Sequence, residues 1–354
     1  MRKILLWASI FLTVFLLSGC ARKNSAPIAP ADKDKLVSAE LTVYAYDSLT
    51  AEWGLIPAFL SDFEKTSGLK VKMVKFTDTG AMLSQLILEK DQPKADVVMG
   101  LDNLNYAQIA NKNILEPYRP VLADKISSDL WFDKNFTLTP FDYGYIGFVY
   151  DSRKIKFAGP ISLKDLVDSK YKDKIIIEQA GLSSPGTQLL VWSKSALSAV
   201  DYDKFWLGMK DNVLTVAPDW STAYYSLFLQ GEAPIVLSYL TSPAYHIDQE
   251  KANNYQAVPI KEGYFRQVEG VAVIKGATNS NGAKKFIDYV LSQSVQDKIA
   301  TTQWMWPVMP SSSLPVAFGQ IITPTSSQIL YMDSAILSAN LDQWLKKYNS
   351  VFGL

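Results

Sequence analysis

From residue 40 onward, short apolar runs with strand character alternate with segments whose apolar residues recur at helical spacing. The runs ELTVYAY (Glu40–Tyr46), LKVKMVKF (Leu69–Phe76) and ADVVMG (Ala95–Gly100) predict strands, the last one buried as in a parallel sheet. Between them lie an amphipathic helix that ends before Gly68 and the predicted helix MLSQLILEK. This βαβαβ order predicts a doubly wound α/β lobe.

A second α/β series follows Trp131. Its predicted strands are TPFDYGYIGFVYD, KIIIEQ, VLTVA and PIVLSY. Helices are predicted after a capping box at Ser162, after the SSPG motif, and over WSTAYYSLFLQG, which Gly231 ends. A further extended run, Tyr264–Gly276, leads into helices around Lys284–Leu291 and Val295–Ala300.

The simplest arrangement of these elements is two doubly wound α/β lobes with a ligand in the cleft between them. The long segments near 138–150 and 264–275 would be the hinge strands that join the lobes. The first part of lobe 1 is then 40–138, lobe 2 is 139–267, and 268–354 returns to lobe 1 and adds C-terminal helices.

The N-terminus has the pattern of an export signal. Arg2 and Lys3 precede an apolar run of 14 residues, which is short for a membrane span, and the motif LSGC follows. LSGC resembles the bacterial lipobox, so we predict a signal peptide over 1–19, lipidation of Cys20, and a flexible stalk that completes 20–39. The protein would be exported and held at the cell envelope only by its lipid anchor. A plain secretory signal with an incidental cysteine is the alternative.

Composition and charge exclude some classes of function. Hydrophobic residues make up 48% of the 354 residues, enough for one large or two ordinary cores. The formal net charge is +0 and no basic block is present, which argues against nucleic acid as a partner.

The residues that most enzymes need are scarce. The chain has one histidine and one cysteine, and it lacks the G-x-S-x-G, H-E-x-x-H, P-loop and G-x-G-x-x-G motifs. We therefore predict no catalytic activity, no metal and no cofactor, with His246 structural or solvent-facing. An exported hydrolase that uses Ser184 and His246 is the alternative from a different class.

Aromatic and polar residues at strand ends and helix starts are more informative. Tyr46, Trp220, Tyr239 and Trp304 lie outside the periodic faces, which suggests a stacking box for a flat or cationic ligand. Ser184 before Pro185 resembles a helix start that exposes backbone N–H groups to a phosphate or hydroxyl, and TSP at 241–243 repeats the pattern. Asp78 could accept from an amino group or simply cap the next helix.

Several segments together resemble the thiamine-binding protein of bacterial ABC importers. They are LTVYAYDS, ADVVMGLDN, DYGYIGFVYD, SSPG with LLVW, WSTAYYSLFLQGEAPIVLSYLTSPAYH and WMWPV, spread over residues 41–308. The resemblance implies the type II periplasmic-binding fold. It also implies a monomer that closes on thiamine or its phosphates and delivers the ligand to a membrane permease driven by an ATPase.

The resemblance also implies ligand contacts. Tyr46, Tyr239, Tyr245 and Trp304 would enclose the thiazolium and aminopyrimidine rings, and Trp220 would wall the pocket. Asp78 with Thr79 would hold the polar edge of the pyrimidine, although the Asp-Gly of the family is here Asp78-Thr79-Gly80. The hydroxyethyl or phosphate tail would meet a further set of residues: Ser183, Ser184, Tyr239, Leu240, Thr241, Ser242 and Pro243.

Two other ligands stay open within the same fold. The ferric-binding group is similar in lobe order and ligates iron with a Tyr-Tyr pair. Here the only such pair, Tyr224 and Tyr225, falls inside a predicted helix, which disfavours iron. A polyamine or another organic cation would also suit aromatic walls and a carboxylate.

Overall fold

The computed structural model describes residues 39–354. The predicted signal peptide, the anchor residue Cys20 and nearly all of the predicted stalk lie outside the described residues. In the part that is described, no helix has both the length and the apolar character to cross a membrane.

Twelve strands form between residues 40 and 330. The predicted strands of the first lobe are present, and the third of them extends past Gly100 to Asp102. The strands are β1 (Glu40–Tyr46), β2 (Lys70–Phe76), β3 (Val97–Asp102), β4 (Leu115–Glu116), β5 (Thr139–Asp151), β6 (Ile175–Glu178), β7 (Val213–Ala217), β8 (Ile235–Tyr239), β9 (Tyr255–Ala257), β10 (Tyr264–Ile274), β11 (Trp306–Pro307) and β12 (Ile329–Leu330).

The helices connect these strands and close the C-terminus. The α-helices are α1 (Asp47–Thr50), α2 (Leu55–Ser67), α3 (Thr79–Leu88), α4 (Asn103–Ile109), α5 (Ser184–Ala196), α6 (Ala199–Asn212), α7 (Ser242–Tyr245), α8 (Ser280–Val290), α9 (Gln293–Thr302) and α10 (Ser334–Phe352). Two segments are π-helical, Thr222–Phe228 and His246–Glu250. Short 3₁₀ turns cover Ala123–Lys125, Ser128–Leu130, Leu163–Val167, Ser169–Tyr171, Val316–Gln320 and Ser326–Gln328.

The strands follow the order β2-β1-β3-β10-β5-β8-β6-β7. β1 is parallel to β2 and β3, and β6 is parallel to β7 and β8, so each half contains the parallel pairing that the βαβ pattern predicted. The long strands β5 and β10 are antiparallel to each other and lie between the two halves. They are the segments predicted near 138–150 and 264–275.

Strand periodicity separates the cores on the two faces of the first half. Val43 and Ala45 of β1 pack in one cluster with Phe59 of α2, whereas Tyr44 packs on the other face with Leu86 of α3. Successive residues of a strand point to opposite faces, and each fully buried apolar side chain contributes about 1.5–3 kcal/mol. Helices must therefore cover both faces, which gives the doubly wound arrangement.

Two predicted helices differ from the observed structure. The capping box at Ser162 is present, with its backbone N–H donating to Asp165, but it starts only the 3₁₀ turn Leu163–Val167. Asp168 ends that turn in an extended conformation and its carboxylate accepts from the N–H of Lys170, which starts a new turn. The segment WSTAYYSLFLQG is helical as predicted, but it is π-helical over Thr222–Phe228.

Helix α10 lies in the region where the sequence predicts C-terminal helices without bounds. Its residues Leu341, Trp344 and Tyr348 are buried in the same cluster as Trp206 of α6. The Tyr348 hydroxyl also donates to the backbone oxygen of Glu178 at 3.2 Å. The last helix thus packs beside α5 and α6. The lobe boundaries at 138/139 and 267/268 stay a prediction.

Candidate functional site

A cavity opens where the C-terminal ends of β1 and β8 meet the start of α3 and of α5, and it encloses about 820 Å³ of empty space, including its mouth. Ligands of open α/β sheets bind at this position, outside the carboxyl ends of the strands. The lining residues are Tyr46, Ser48, Trp53, Thr77, Asp78, Thr79, Ser184, Pro185, Trp220, Ser221, Tyr224, Tyr225, Tyr239, Thr241, Ser242, Tyr245, Glu269, Thr302, Gln303, Trp304 and Met305.

Of the thirteen predicted contact residues, all but Ser183, Leu240 and Pro243 line this cavity. Leu240 is fully buried and packs against Gly147, where an added Cβ would lie 2.6 Å from a Leu240 methyl carbon. Ser183 precedes the helix that carries Ser184, and its side chain is buried. These three residues do not line the cavity, and the tail contact predicted for them stays a prediction.

Aromatic rings form the walls of the cavity. Trp220 stacks on Tyr224 with ring centroids 5.2 Å apart and an interplanar angle of 16°, and Tyr245 meets Trp304 edge to face at 5.6 Å. The indole N–H of Trp220 donates to the Ser238 hydroxyl at 2.9 Å, which fixes the ring. Such walls suit a flat ring system and attract a positive charge to their faces.

Asp78 lies at the meeting of two helices. Its carboxylate accepts from the N–H of Thr79 at 2.7 Å, capping α3, and from the N–H of Ser184 at 3.2 Å at the start of α5. Burial raises the pKa of Asp78 to about 6, and these hydrogen bonds oppose that rise. Asp78 is therefore both the cap that the sequence suggested and a carboxyl group at the cavity wall.

The N–H and the hydroxyl of Ser184, at the start of α5, are not the free donors that the sequence suggested. Asp78 accepts from the Ser184 N–H, and the Ser184 hydroxyl donates to the carboxylate of Asp102. Pro185 has no N–H. Because the first donors of this helix already meet carboxylates of the chain itself, an incoming anion would have to displace them.

The floor of the cavity is a hydrogen-bonded network between β1, β8 and β10. The Tyr46 hydroxyl donates to Glu269 at 2.6 Å, and the Gln267 amide donates to the other oxygen of Glu269 at 2.7 Å. The Tyr239 hydroxyl donates to Gln267 at 3.2 Å. Burial is the main cause that raises the pKa of Glu269 to about 8, and it also raises the pKa values of Tyr46 and Tyr239.

Glu269 is among the lining residues that the sequence reasoning missed. The others are Ser48, Trp53, Thr77, Pro185, Ser221, Tyr224, Tyr225, Thr302, Gln303 and Met305. A usable signal existed for Glu269, because a carboxylate inside the apolar strand VEGVAV is costly to bury without a function. Trp53 follows α1 in a short loop and carried no periodic signal.

Tyr224 and Tyr225 correct one step of the sequence reasoning. The pair is helical, as predicted, yet both residues line the cavity. A helical position is therefore no argument against a place in the site. Among residues 39–354, no group of three or more His, Cys, Asp or Glu residues is arranged to hold a metal ion.

His246 supports the wall from behind and does not line the cavity. Its ring is fully buried, with Nε2 2.9 Å from the Tyr224 hydroxyl and Nδ1 2.7 Å from Glu250. Burial lowers the pKa of His246, which favours the neutral ring. Ser184 bonds to Asp102 and Gln267 instead, so the serine–histidine contact that a hydrolase needs does not form.

The sequence profile of the family described as bacterial extracellular solute-binding protein matches residues 58–342. The thiamine-binding periplasmic protein of Escherichia coli K12 is 38% identical over 308 residues, which cover 87% of this chain and 92% of that protein. The protein of the same name from Haemophilus influenzae is 36% identical over 276 residues, covering 78% of this chain and 81% of its own.

Solved structures agree with the observed architecture. A periplasmic thiamin binding protein superposes with a TM-score of 0.82 at 35% identity, covering 88% of this chain and 96% of its own. The ferric binding protein from Campylobacter jejuni superposes with a TM-score of 0.73 at 19% identity, covering 88% of this chain and 99% of that protein. At this identity the likeness shows the fold alone. The predicted type II binding fold is confirmed.

Proposed function

Because this chain belongs to the family of bacterial extracellular solute-binding proteins, we propose that it captures thiamine, or a phosphate ester of thiamine, and delivers it to an ABC importer. It is a substrate-binding protein and not an enzyme. Its partners are the permease and ATPase subunits of the importer, and it would act as a monomer.

The observation that carries the proposal is the chemistry of the cavity. Its walls are the aromatic side chains around Trp220 and Trp304, and its polar edge contains the carboxyl groups of Asp78 and Glu269. Among the described lining residues there is no Lys, Arg or His. Thiamine combines two flat rings with a permanent positive charge, which matches aromatic faces for stacking and carboxyl groups for charge.

We further propose that Cys20 carries a lipid anchor, on the strength of the LSGC motif and the polar segment that follows it. Two or three acyl chains hold a protein firmly on a membrane, whereas one chain barely does. Mass spectrometry of the N-terminal peptide from the membrane fraction tests this: an unmodified residue at position 20, or cleavage at another site, contradicts it.

Isothermal titration calorimetry with the processed protein tests the ligand. We expect thiamine to bind with a Kd below about 1 μM, equivalent to more than about 8.2 kcal/mol. Thiamine monophosphate, spermidine and ferric citrate form the comparison set. Spermidine binding more tightly than thiamine would assign the cavity to polyamines, and ferric citrate binding alone would assign it to iron. Thiamine binding no tighter than micromolar would overturn the proposal.

A further inference from the structure

Among the described residues that line the cavity, none is a basic partner for its acidic floor. Glu269 is 3% exposed, and Asp142 lies opposite it in the register of β5 and β10, so both side chains point to the same face of the sheet. Asp142 is fully buried, and within residues 39–354 neither of its carboxyl oxygens has a hydrogen-bond partner. If both carboxyl groups of this directly opposed pair were ionised, they would repel each other in a region of low dielectric constant.

The groups that face Glu269 from the surrounding elements are also acidic or phenolic. They are Tyr46 at the end of β1, Asp78 before α3, Asp102 at the end of β3, Asp142 on β5 and Tyr239 at the end of β8. Glu269 is the member of the Glu269–Asp142 pair that lines the cavity. A buried acidic pair without a counter-cation avoids the cost of charge burial by keeping a proton.

We propose that Glu269 makes the cavity selective for a positively charged ring: its carboxyl group holds a proton in the free protein and releases it when the cation enters. In this step the O–H bond of the carboxyl group breaks, the proton leaves to solvent, and the electron pair stays on Glu269 as the counter-charge. The Tyr46 hydroxyl, 2.6 Å from Glu269, stabilises the ionised form by donating to it. This inference rests on the proposed capture of thiamine.

The burial of the acidic pair gives the proton release a direction. Burial beside a second carboxyl group and without a counter-cation raises the pKa values of both Asp142 and Glu269, that of Glu269 to about 8, so the pair holds its protons into the neutral range in the free protein. A bound cation favours the ionised form and lowers that pKa. Binding at pH 7 therefore releases a proton, and the affinity for thiamine increases as the pH rises from 6 to about 9.

Calorimetry at pH 7 in phosphate and in Tris, which differ in ionisation heat, measures the protons released per thiamine bound. The wild-type protein should release close to one proton per thiamine bound. Glu269→Gln should release none and bind thiamine about 30-fold more weakly, as expected when one partner of a buried charge pair is removed. Its affinity for a neutral isostere, with a thiophene in place of the thiazolium ring, should stay within a factor of about three of the wild type.

Glu178→Gln is the matched control. Glu178 is also a fully buried carboxyl group whose oxygens have no hydrogen-bond partner in the described part of the chain, but it does not line the cavity. This variant should bind thiamine and release protons like the wild type. If Glu178→Gln lost as much thiamine affinity as Glu269→Gln, the loss would come from a general effect of buried acids on the stability of the protein. That result would overturn the inference.

Two results separate the inference from the function it rests on. If the wild-type protein does not bind thiamine, the proposed function fails. If the wild-type protein binds thiamine but releases no proton, or if Glu269→Gln binds it equally well, the function stands and the role of Glu269 is wrong. The measurement on the wild-type protein decides the matter even where a variant does not fold.

Discussion

At the scale of single residues, Asp78 and Ser184 line the cavity and also form hydrogen bonds that stabilise the fold. The Asp78 carboxylate caps α3 and accepts from the first N–H of α5, and the Ser184 hydroxyl donates to Asp102. A carboxyl group with two backbone donors is fixed in orientation, which reduces the conformational entropy lost on binding. The same bonds offset part of the cost of burying the carboxyl groups of Asp78 and Asp102.

Trp304 gives the clearest residue-level prediction. The ring lines the cavity, packs edge to face on Tyr245 and stacks on Phe318, yet the residue is only partly buried. Trp304→Ala should therefore lower thiamine affinity by about 10- to 100-fold, as for an interface anchor, while reducing stability by less than about 2 kcal/mol. Calorimetry and urea unfolding of the same variant measure the two effects.

Trp206→Ala is the control for that prediction. Trp206 is 2% exposed and packs against Tyr348 and Phe205 away from the cavity. Its removal should cost about 3–5 kcal/mol, the range for a buried tryptophan. Equal losses of stability in the two variants would place Trp304 in the core. The backbone of Trp304 has φ 55°, where both Trp and Ala are strained. The Trp304→Ala substitution therefore does not change the backbone strain at this position.

At the scale of elements, the start of α3 touches the loop before α5. The N–H of Gly80 donates to the backbone oxygen of Leu182 at 3.0 Å, and Asp78 reaches Ser184 in the same place. A Cβ at position 80 would lie 2.4 Å from the Gly181 oxygen and 2.5 Å from the Leu182 oxygen. Only glycine permits this approach, and it brings the predicted contact residues Asp78 and Ser184 into one cavity.

Gly80→Ala should keep these two segments apart. The preference of alanine for a helix, about 1 kcal/mol, is smaller than the cost of a Cβ against two backbone oxygens and of the lost Gly80 hydrogen bond, so the ligand-free protein should lose stability. Thiamine affinity should fall at least about tenfold, because binding must then work against a backbone clash. Calorimetry, thermal unfolding and small-angle scattering with and without thiamine test this.

Gly319→Ala is the matched control, because nothing lies within 4 Å of a Cβ at that position. It should behave like the wild-type protein in all three measurements. Thiamine affinity unchanged in Gly80→Ala would show that the contact between α3 and the 181–182 loop has no part in binding.

At the scale of the whole molecule, the buried acids set an unusual dependence of stability on pH. Burial raises the pKa of Asp78 from 3.8 to about 6 and that of Glu269 from 4.5 to about 8. Between the unfolded and folded values the folded protein holds protons that the unfolded chain has lost, so stability decreases as pH rises through this window. Carboxylates with lowered pKa values, such as Asp151 and Asp129, act only at more acidic pH.

The melting temperature of the ligand-free protein should therefore fall from pH 5 to pH 8. Glu269→Gln should show a shallower fall, since it removes a group whose pKa burial raises from 4.5 to about 8, and saturating thiamine should also flatten the curve. Differential scanning calorimetry at four pH values in this range measures the slope. A melting temperature that rises steadily from pH 5 to pH 8 would contradict the prediction.

The sequence by itself determined most of the fold. β-branched alternation placed β1 and β2, and apolar spacing with a terminal glycine placed α2, because these signals are local and repeat with the period of the element. The sequence analysis did not identify α6, although its buried residues Tyr202, Phe205, Trp206 and Met209 have the spacing of one helix face. It placed α10 only within a C-terminal helical region, and that helix is buried by contact with distant helices. The π-helical segments also depend on packing, since their residues fit an ordinary helix equally well.

The sequence likewise indicated a site with aromatic walls and a carboxyl group, because core packing does not account for aromatic residues at strand ends and helix starts, where ligands of α/β sheets bind. Only the tertiary structure decided which residues share the cavity. Tyr46 and Glu269 are 223 positions apart and hydrogen-bond only because β1 and β10 both lie beside β3. The acidic pair of Glu269 and Asp142 arises from the register of β5 against β10, and register between distant strands is a property of the assembled sheet.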